Sequence, residues 1–186
     1  MLRFPIHRMT LMLILISVMC LTSCIQVKEP DSGAKPFFDI PAYFNAEIAH
    51  LTSTQQKVNK RITLDDRTES EQELNINWKL EFHVFTECDL NVPALRDAYR
   101  TDSSGTSGNL IISYHAKDND TKVREVSITF ENNQVTSIRI ELITSSNLYS
   151  LKRELSYTPG SGYHMEGERQ VPGLDPSHYM IDATFQ

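Results

Sequence analysis

The feature that most constrains this chain is a change of hydrophobic period. From Arg96 onward, apolar side chains recur at every second residue. The runs are Leu110, Ile112, Tyr114; Val126, Ile128, Phe130; Ile138, Ile140, Leu142; Tyr149, Leu151, Leu155, Tyr157; and Tyr179, Ile181, Ala183, Phe185. A strand turns successive side chains to opposite faces, so each run reads as a strand with one apolar and one polar face. Turn chemistry separates them, at Ser103-Ser104-Gly105, Lys117-Asp118-Asn119-Asp120, Asn132-Asn133, Ser145-Ser146-Asn147, Pro159-Gly160-Ser161-Gly162 and Pro172-Gly173. Connections this short pair neighbours antiparallel. The reading is a meander of about six or seven strands, apolar on one face and solvated on the other.

A twisted sheet of this kind must cover its apolar face. The cover comes from earlier in the chain. Asp39 suits an N-cap and Pro41 a first turn, which predicts a helix from Ile40 to about Lys57. Ile40, Phe44, Ile48 and Leu51 form one stripe of a 3.6-residue period, and Glu47, His50, Thr54 and Lys57 fall outside it. A polar hairpin follows, with Val58, Ile62 and Leu64 before Asp65-Asp66-Arg67-Thr68, and Leu74 and Ile76 after. Asn77 then caps a second helix, Trp78 to Glu87. Trp78, Phe82 and Phe85 share one face of it, widened by Leu80, Val84 and Cys88. The fold class is therefore α+β: a curved, half-barrel-like antiparallel meander covered by two N-terminal helices. Trp78, Phe82 and Phe85 fill its concavity.

The first residues are of another kind. Met9 to Leu21 is a run of 13 residues, too short to span a bilayer, with Arg3 and Arg8 before it. Leu21-Thr22-Ser23-Cys24 ends the run. These four residues resemble the lipobox of bacterial lipoproteins. The resemblance implies a signal peptide over 1–23, cleavage before Cys24, and acylation of the Cys24 thiol and new amino group. Two or three chains would anchor the protein to a membrane permanently, where one would hold only reversibly. Ile25 rather than Asp after the cysteine is similar to the pattern of outer-membrane delivery. Residues 24–36 are then the lipidated cysteine and a polar tether rich in Pro, Gly and Ser, and 37–186 is one domain.

Phe37-Phe38-Asp39-Ile40, Asn75-Ile76-Asn77-Trp78 and Asp89-Leu90-Asn91-Val92-Pro93-Ala94 resemble local segments of small uncharacterised envelope lipoproteins of Bacteroidota. That likeness implies an envelope address and no particular activity. A helix-covered, unclosed barrel is also similar in architecture to the periplasmic lipoprotein chaperone.

Charge narrows the partners. Residues 1–23 hold two arginines and no acidic group, so 16 basic and 24 acidic residues remain and leave the mature chain at −8. Such a surface repels phosphate backbones, which argues against nucleic acid. Of three cysteines, Cys20 leaves with the signal and Cys24 carries lipid, so Cys88 is alone and no internal disulfide forms. Cys88 reads as an inert core residue.

No GxSxG, HExxH, P-loop, GxGxxG or paired CxxC occurs. The best constellation is His164, Glu166 and Glu168 on one strand face, with His178 on the next strand near Glu168. Imidazole and carboxylate at His164, Glu168 and His178 are zinc-ligand types, and a solvated hairpin face is the plainer reading. Asp118-Asn119-Asp120 with Glu125 lacks the glycine and spacing of an EF-hand and reads as a turn, as does Asp65-Asp66. Arg153 falls at an inward register, where it lines a cavity, pairs with a carboxylate or snorkels at the rim.

These observations lead to a non-enzymatic, membrane-anchored envelope lipoprotein without a cofactor. It acts as a binding or assembly module for an envelope protein or an apolar ligand. The alternatives are a metal-binding protein or metal-assisted hydrolase using His164, Glu168 and His178, and a structural spacer. An apolar pocket under the helices would favour the apolar ligand; a filled core would favour a protein partner on the outer face or edge of the sheet.

Overall fold

Asp39 opens the first helix as its chemistry demands. Its carboxylate accepts the Ala42 N–H at 3.1 Å, and helix α1 runs Ile40–Ser53 with Pro41 in its first turn. The computed structural model describes residues 35–73, 76–106 and 108–186. The expected signal peptide, Cys24, most of the expected tether, Leu74, Asn75 and Ser107 lie outside them. Ile40, Phe44 and Leu51 are buried and Ile48 half-buried, so the predicted stripe is the packing face. The helix stops at Ser53, a turn short of the expected Lys57. Thr52, Ser53 and Thr54 turn their hydroxyls back onto the carbonyls of Ile48 and His50, and Gln55 takes a positive φ of 50°.

The hairpin β1 (Val58–Leu64) and β2 (Arg67–Glu73) follows, turning at Asp65-Asp66. The second helix differs from expectation. It is two single turns, α2 (Trp78–Glu81) and α3 (His83–Thr86), capped by the Asn77 side chain on the Leu80 N–H at 3.1 Å. Phe82 leaves the helical region, at φ −93° and ψ 11°, so the helical phase is not carried across it. Trp78, Phe82, Phe85 and Cys88 are buried, Val84 is half-buried, and Leu80 is 74% exposed instead of widening the face.

Seven strands complete the chain: β3 (Tyr99–Thr106), β4 (Asn109–Ala116), β5 (Val123–Glu131), β6 (Gln134–Ser145), β7 (Ser150–Thr158), β8 (Gly162–Gln170) and β9 (Ser177–Phe185). The turn expected at Ser103-Ser104-Gly105 is strand; Gly105 is spanned by the pairing of β3 with β4. The count also exceeds the expected six or seven. The sheet has nine strands in the order β2-β1-β9-β8-β7-β6-β5-β4-β3, because β1 pairs antiparallel with the last strand, β9. The N-terminal hairpin is thus part of the sheet. The sheet is open, and its edges are β2 and β3. Both edges are polar and carry charged side chains, which blunts further pairing.

Two bulges adjust the alternation. Arg124 is an extra residue in β5 opposite β6, so Val123 joins Val126 and Ile128 on the inner face. Thr136 is the extra residue in β6, which lets Val135 and Ile138 both pack inward. At the turn between these strands Asn132 and Asn133 both have positive φ, the requirement of a type I′ hairpin.

The core lies between the helices and one face of the sheet. Phe44 stacks on Phe85 at 4.4 Å, and Phe82 meets Phe44, Phe85, Trp78, Tyr157 and Tyr163 at 5.3–5.6 Å between ring centroids. Three tyrosine hydroxyls that follow their rings inward find acceptors. The Tyr157 hydroxyl donates to Glu47 on α1, Tyr163 donates to Glu81 on α2, and Tyr99 donates to the Val123 carbonyl at 3.0 Å. Lys60 reaches Glu81 from β1 at 2.8 Å, with side chains only 10% and 16% exposed.

Candidate functional site

The face away from the helices is the part of the molecule not spent on packing. Cross-strand register decides what it presents. Glu125 of β5 lies opposite Glu141 of β6, Glu141 opposite Glu154 of β7, and Glu154 opposite Glu166 of β8. Four adjacent strands therefore carry one unbroken row of glutamates. Side chains opposite one another have Cβ atoms about 4.5–5.5 Å apart, and like charges there repel.

One lysine and two imidazoles lie against them. Lys152 is 2.8 Å from Glu154 and 3.9 Å from Glu141. The hydrogen bond it donates to Glu154, then the charge of Glu141, hold its ammonium above its ordinary pKa. His115 lies 3.4 Å from Glu125 and 3.5 Å from Asp102. His164 lies 3.6 Å from Glu166 through Nε2 and 2.7 Å from Asp182 through Nδ1. Two shallow grooves run over the row and share Glu154 and Glu166. One, of about 270 Å³, is also lined by Thr63, Lys152, Glu168 and His178. The other, of about 460 Å³, is lined by Ser127, Arg139, Ser156 and His164.

The predicted residues fall on this face. Glu168 is directly opposite His178, as the turn at Pro172-Gly173 implied, and the His178 N–H donates to Asp65 at 2.8 Å. His164 is four residues further along β8, opposite Asp182. The hairpin thus does not bring His164 to Glu168 and His178. Among the described residues no group of three or more His, Cys, Asp or Glu side chains is placed to hold a metal ion. Asp118-Asn119-Asp120 is a turn, and the carbonyls of Asp118 and Asn119 accept from the Arg124 guanidinium. Arg153 is inward and half-buried, with its Nε unbonded and its charge felt by Cys88 and Tyr179.

Asp182 is the partner that the sequence reading passed over. The register that sets Glu168 against His178 sets His164 against Asp182, so parity alone would have found it. Ser156 lies opposite His164 on its other side, which makes a Ser-His-Asp order across three strands. The second imidazole nitrogen faces Glu166, however, and strand amides are committed to the ladder, so no oxyanion donors converge there. The face offers carboxylates, imidazoles and hydroxyls for ionic contacts and hydrogen bonds.

The opposite face is filled at its centre. Phe44, Phe82, Phe85 and Tyr157 are fully buried at its centre. A third depression, of about 610 Å³ at the end of α1, is lined mainly by polar groups of residues 51–57 and by Ile76, Asn77 and Trp78. Cys88 is buried, its Sγ 3.2 Å from the Val84 carbonyl, and burial pushes the thiol up to about 12. No helix among the described residues is long and apolar enough to cross a membrane. No family model matches this chain, and no characterised protein or solved structure does so either.

Proposed function

We propose that this chain is a lipid-anchored protein of the bacterial envelope, tethered through Cys24 and working as a non-enzymatic binding or assembly module. In this reading the sheet is a shallow half-barrel whose concave side is closed by its own aromatic core and whose outer side meets an envelope protein. One observation carries the choice of surface: the inner face is spent on packing, whereas the outer face keeps four opposed glutamates over two open grooves. Opposed carboxylates cost stability in the isolated domain. A partner bearing Lys or Arg would relieve that repulsion. An apolar ligand under the helices has less support, since fully buried rings occupy the centre of that space.

The test is photo-crosslinking in the producing bacterium from position 156, in the middle of the row. A discrete crosslinked species that disappears in Glu154→Lys/Glu166→Lys supports the reading. The same pattern from position 80, on the helix side, or no species from position 156, would count against it. The anchor is tested separately. Cys24→Ala should release the protein from membranes or block processing, and unchanged fractionation and mass would contradict lipidation.

A further inference from the structure

We infer that the inner face, beyond the reach of the helices, binds an organic monocarboxylate with an apolar chain, its carboxylate on Arg153 and Tyr179 and its chain over Ile62 and Leu64. This surface is separate from the outer face discussed above.

The helical cover runs out along the strands. Phe44 and Phe82 pack on Tyr157 and Tyr163, and Lys60 of the same cross-strand row is only 10% exposed. One row further along β1, Ile62 is 42% exposed, and in the next row Leu64 is 57% exposed. Their partners on β9, Ile181 and Tyr179, are half-buried. The row of Leu64 continues through Tyr179, Gly167 and Arg153 to Leu142.

Gly167 joins the two polar members of that row. A Cβ there would lie 2.2 Å from Tyr179 Cε1 and 2.8 Å from its hydroxyl oxygen, so the phenol crosses over Gly167, the residue directly opposite Arg153. The Arg153 charge acts on that hydroxyl and on the Cys88 thiol, in each case against the upward push of burial.

Arg153 is left without an acid. Among the described residues it makes no hydrogen bond and no ion pair, whether with Glu87, Asp120 or Asp175, and its Nε is closed to solvent. Arg124, whose Nε is also unbonded, differs in that its amino groups bond the carbonyls of Asp118 and Asn119. The Tyr179 hydroxyl likewise has no partner among the described residues. A guanidinium drawn from water without a counter-charge is costly, and an anion offsets that cost.

The surrounding strands favour the same sign of ligand. On the inner face of these last rows, β1, β2 and β7 to β9 carry Arg67, Arg153 and Arg169 against Glu69 alone. One guanidinium beside one phenol matches a carboxylate, a planar monoanion with two acceptor oxygens. Leu64 lies three strand spacings from Arg153, roughly 14 Å, and with Ile62 offers apolar surface for the chain.

The test uses the full chain in the producing bacterium, with a dodecanoate bearing a diazirine on its chain as photoprobe. Labelling should map to the side chains of Ile62, Leu64 or Ile181 and be competed by dodecanoate but not by dodecanol. Arg153→Met should cut labelling about tenfold, the worth of one charge-assisted hydrogen bond, and Tyr179→Phe severalfold; Arg153→Lys should recover part of it. In thermal melts of the purified chain, Arg153→Met should match or exceed the wild type, since it removes a charge without a partner. Equal competition by dodecanol, labels on Glu166 or Met180 of the outer face, or labelling that survives Arg153→Met overturns the assignment. If Arg153→Met fails to fold, wild-type labelling of both Arg153→Lys and Tyr179→Phe overturns it as well.

Discussion

Replacing Phe82 by alanine probes the joint on which the fold turns. The ring is fully buried and touches five other aromatic rings, two on the sheet, one on α1 and two on its own helical turns. Loss of its burial removes about 1.5–3 kcal/mol of transfer free energy. Loss of its edge-on contacts and the cavity left behind bring the total to about 3–5 kcal/mol. Domains of this size are stable by about 5–15 kcal/mol, so the variant stays folded with a large part of its margin gone. At about 2–4 °C per kcal/mol, Tm falls by roughly 10 °C. Leu80→Ala is the matched control. Leu80 lies two residues away and is 74% exposed, so its removal should change stability by no more than about 0.5 kcal/mol. Urea melts should show a lower midpoint for Phe82→Ala with an unchanged slope. The reasoning is refuted if the two variants melt together, or if Leu80→Ala is the more damaging. Either result would mean that one continuous helix, with Leu80 on its buried arc, is the better description.

The remaining predictions concern buried polar groups. Burial raises the Cys88 thiol to about 12 and also raises Tyr43, Tyr99 and Tyr157. The native state then keeps protons that the unfolded chain releases, so stability is full below about pH 8.5, the unfolded thiol value, and declines as pH rises toward 12. Urea melts across that range should show the decline, and Cys88→Ala should flatten its first part; a flat wild-type profile would contradict the burial. Native Cys88 should resist iodoacetamide at neutral pH and react in denaturant. Glu81→Ala removes the acceptor of both Lys60 and the Tyr163 hydroxyl and should cost about 2–3 kcal/mol. Lys60→Met added to it should recover part of that loss, and a double-mutant cycle with no coupling would show that the pair does not act as one unit.

Much of the fold was legible because local chemistry and hydrophobic period agreed. Asp39 and Asn77 cap helices, Asn132-Asn133 makes its hairpin turn, and the alternation from Leu110 to Phe185 sorts side chains to the expected faces, since each depends only on neighbours in sequence. The departures arise where distant segments meet. Nothing local announces that the polar hairpin of Val58–Leu64 will pair with Ser177–Phe185, because a strand's partner is chosen by long-range register. The break at Phe82 answers to rings of α1 and of the sheet, and the bulges at Arg124 and Thr136 to strands across from them. The candidate surface divides the same way. The parity of His164, Glu166, Glu168 and His178 was written in the sequence, but the row of four glutamates was not. A residue's face follows from its own strand, whereas its neighbours across the sheet exist only once every strand has taken its register.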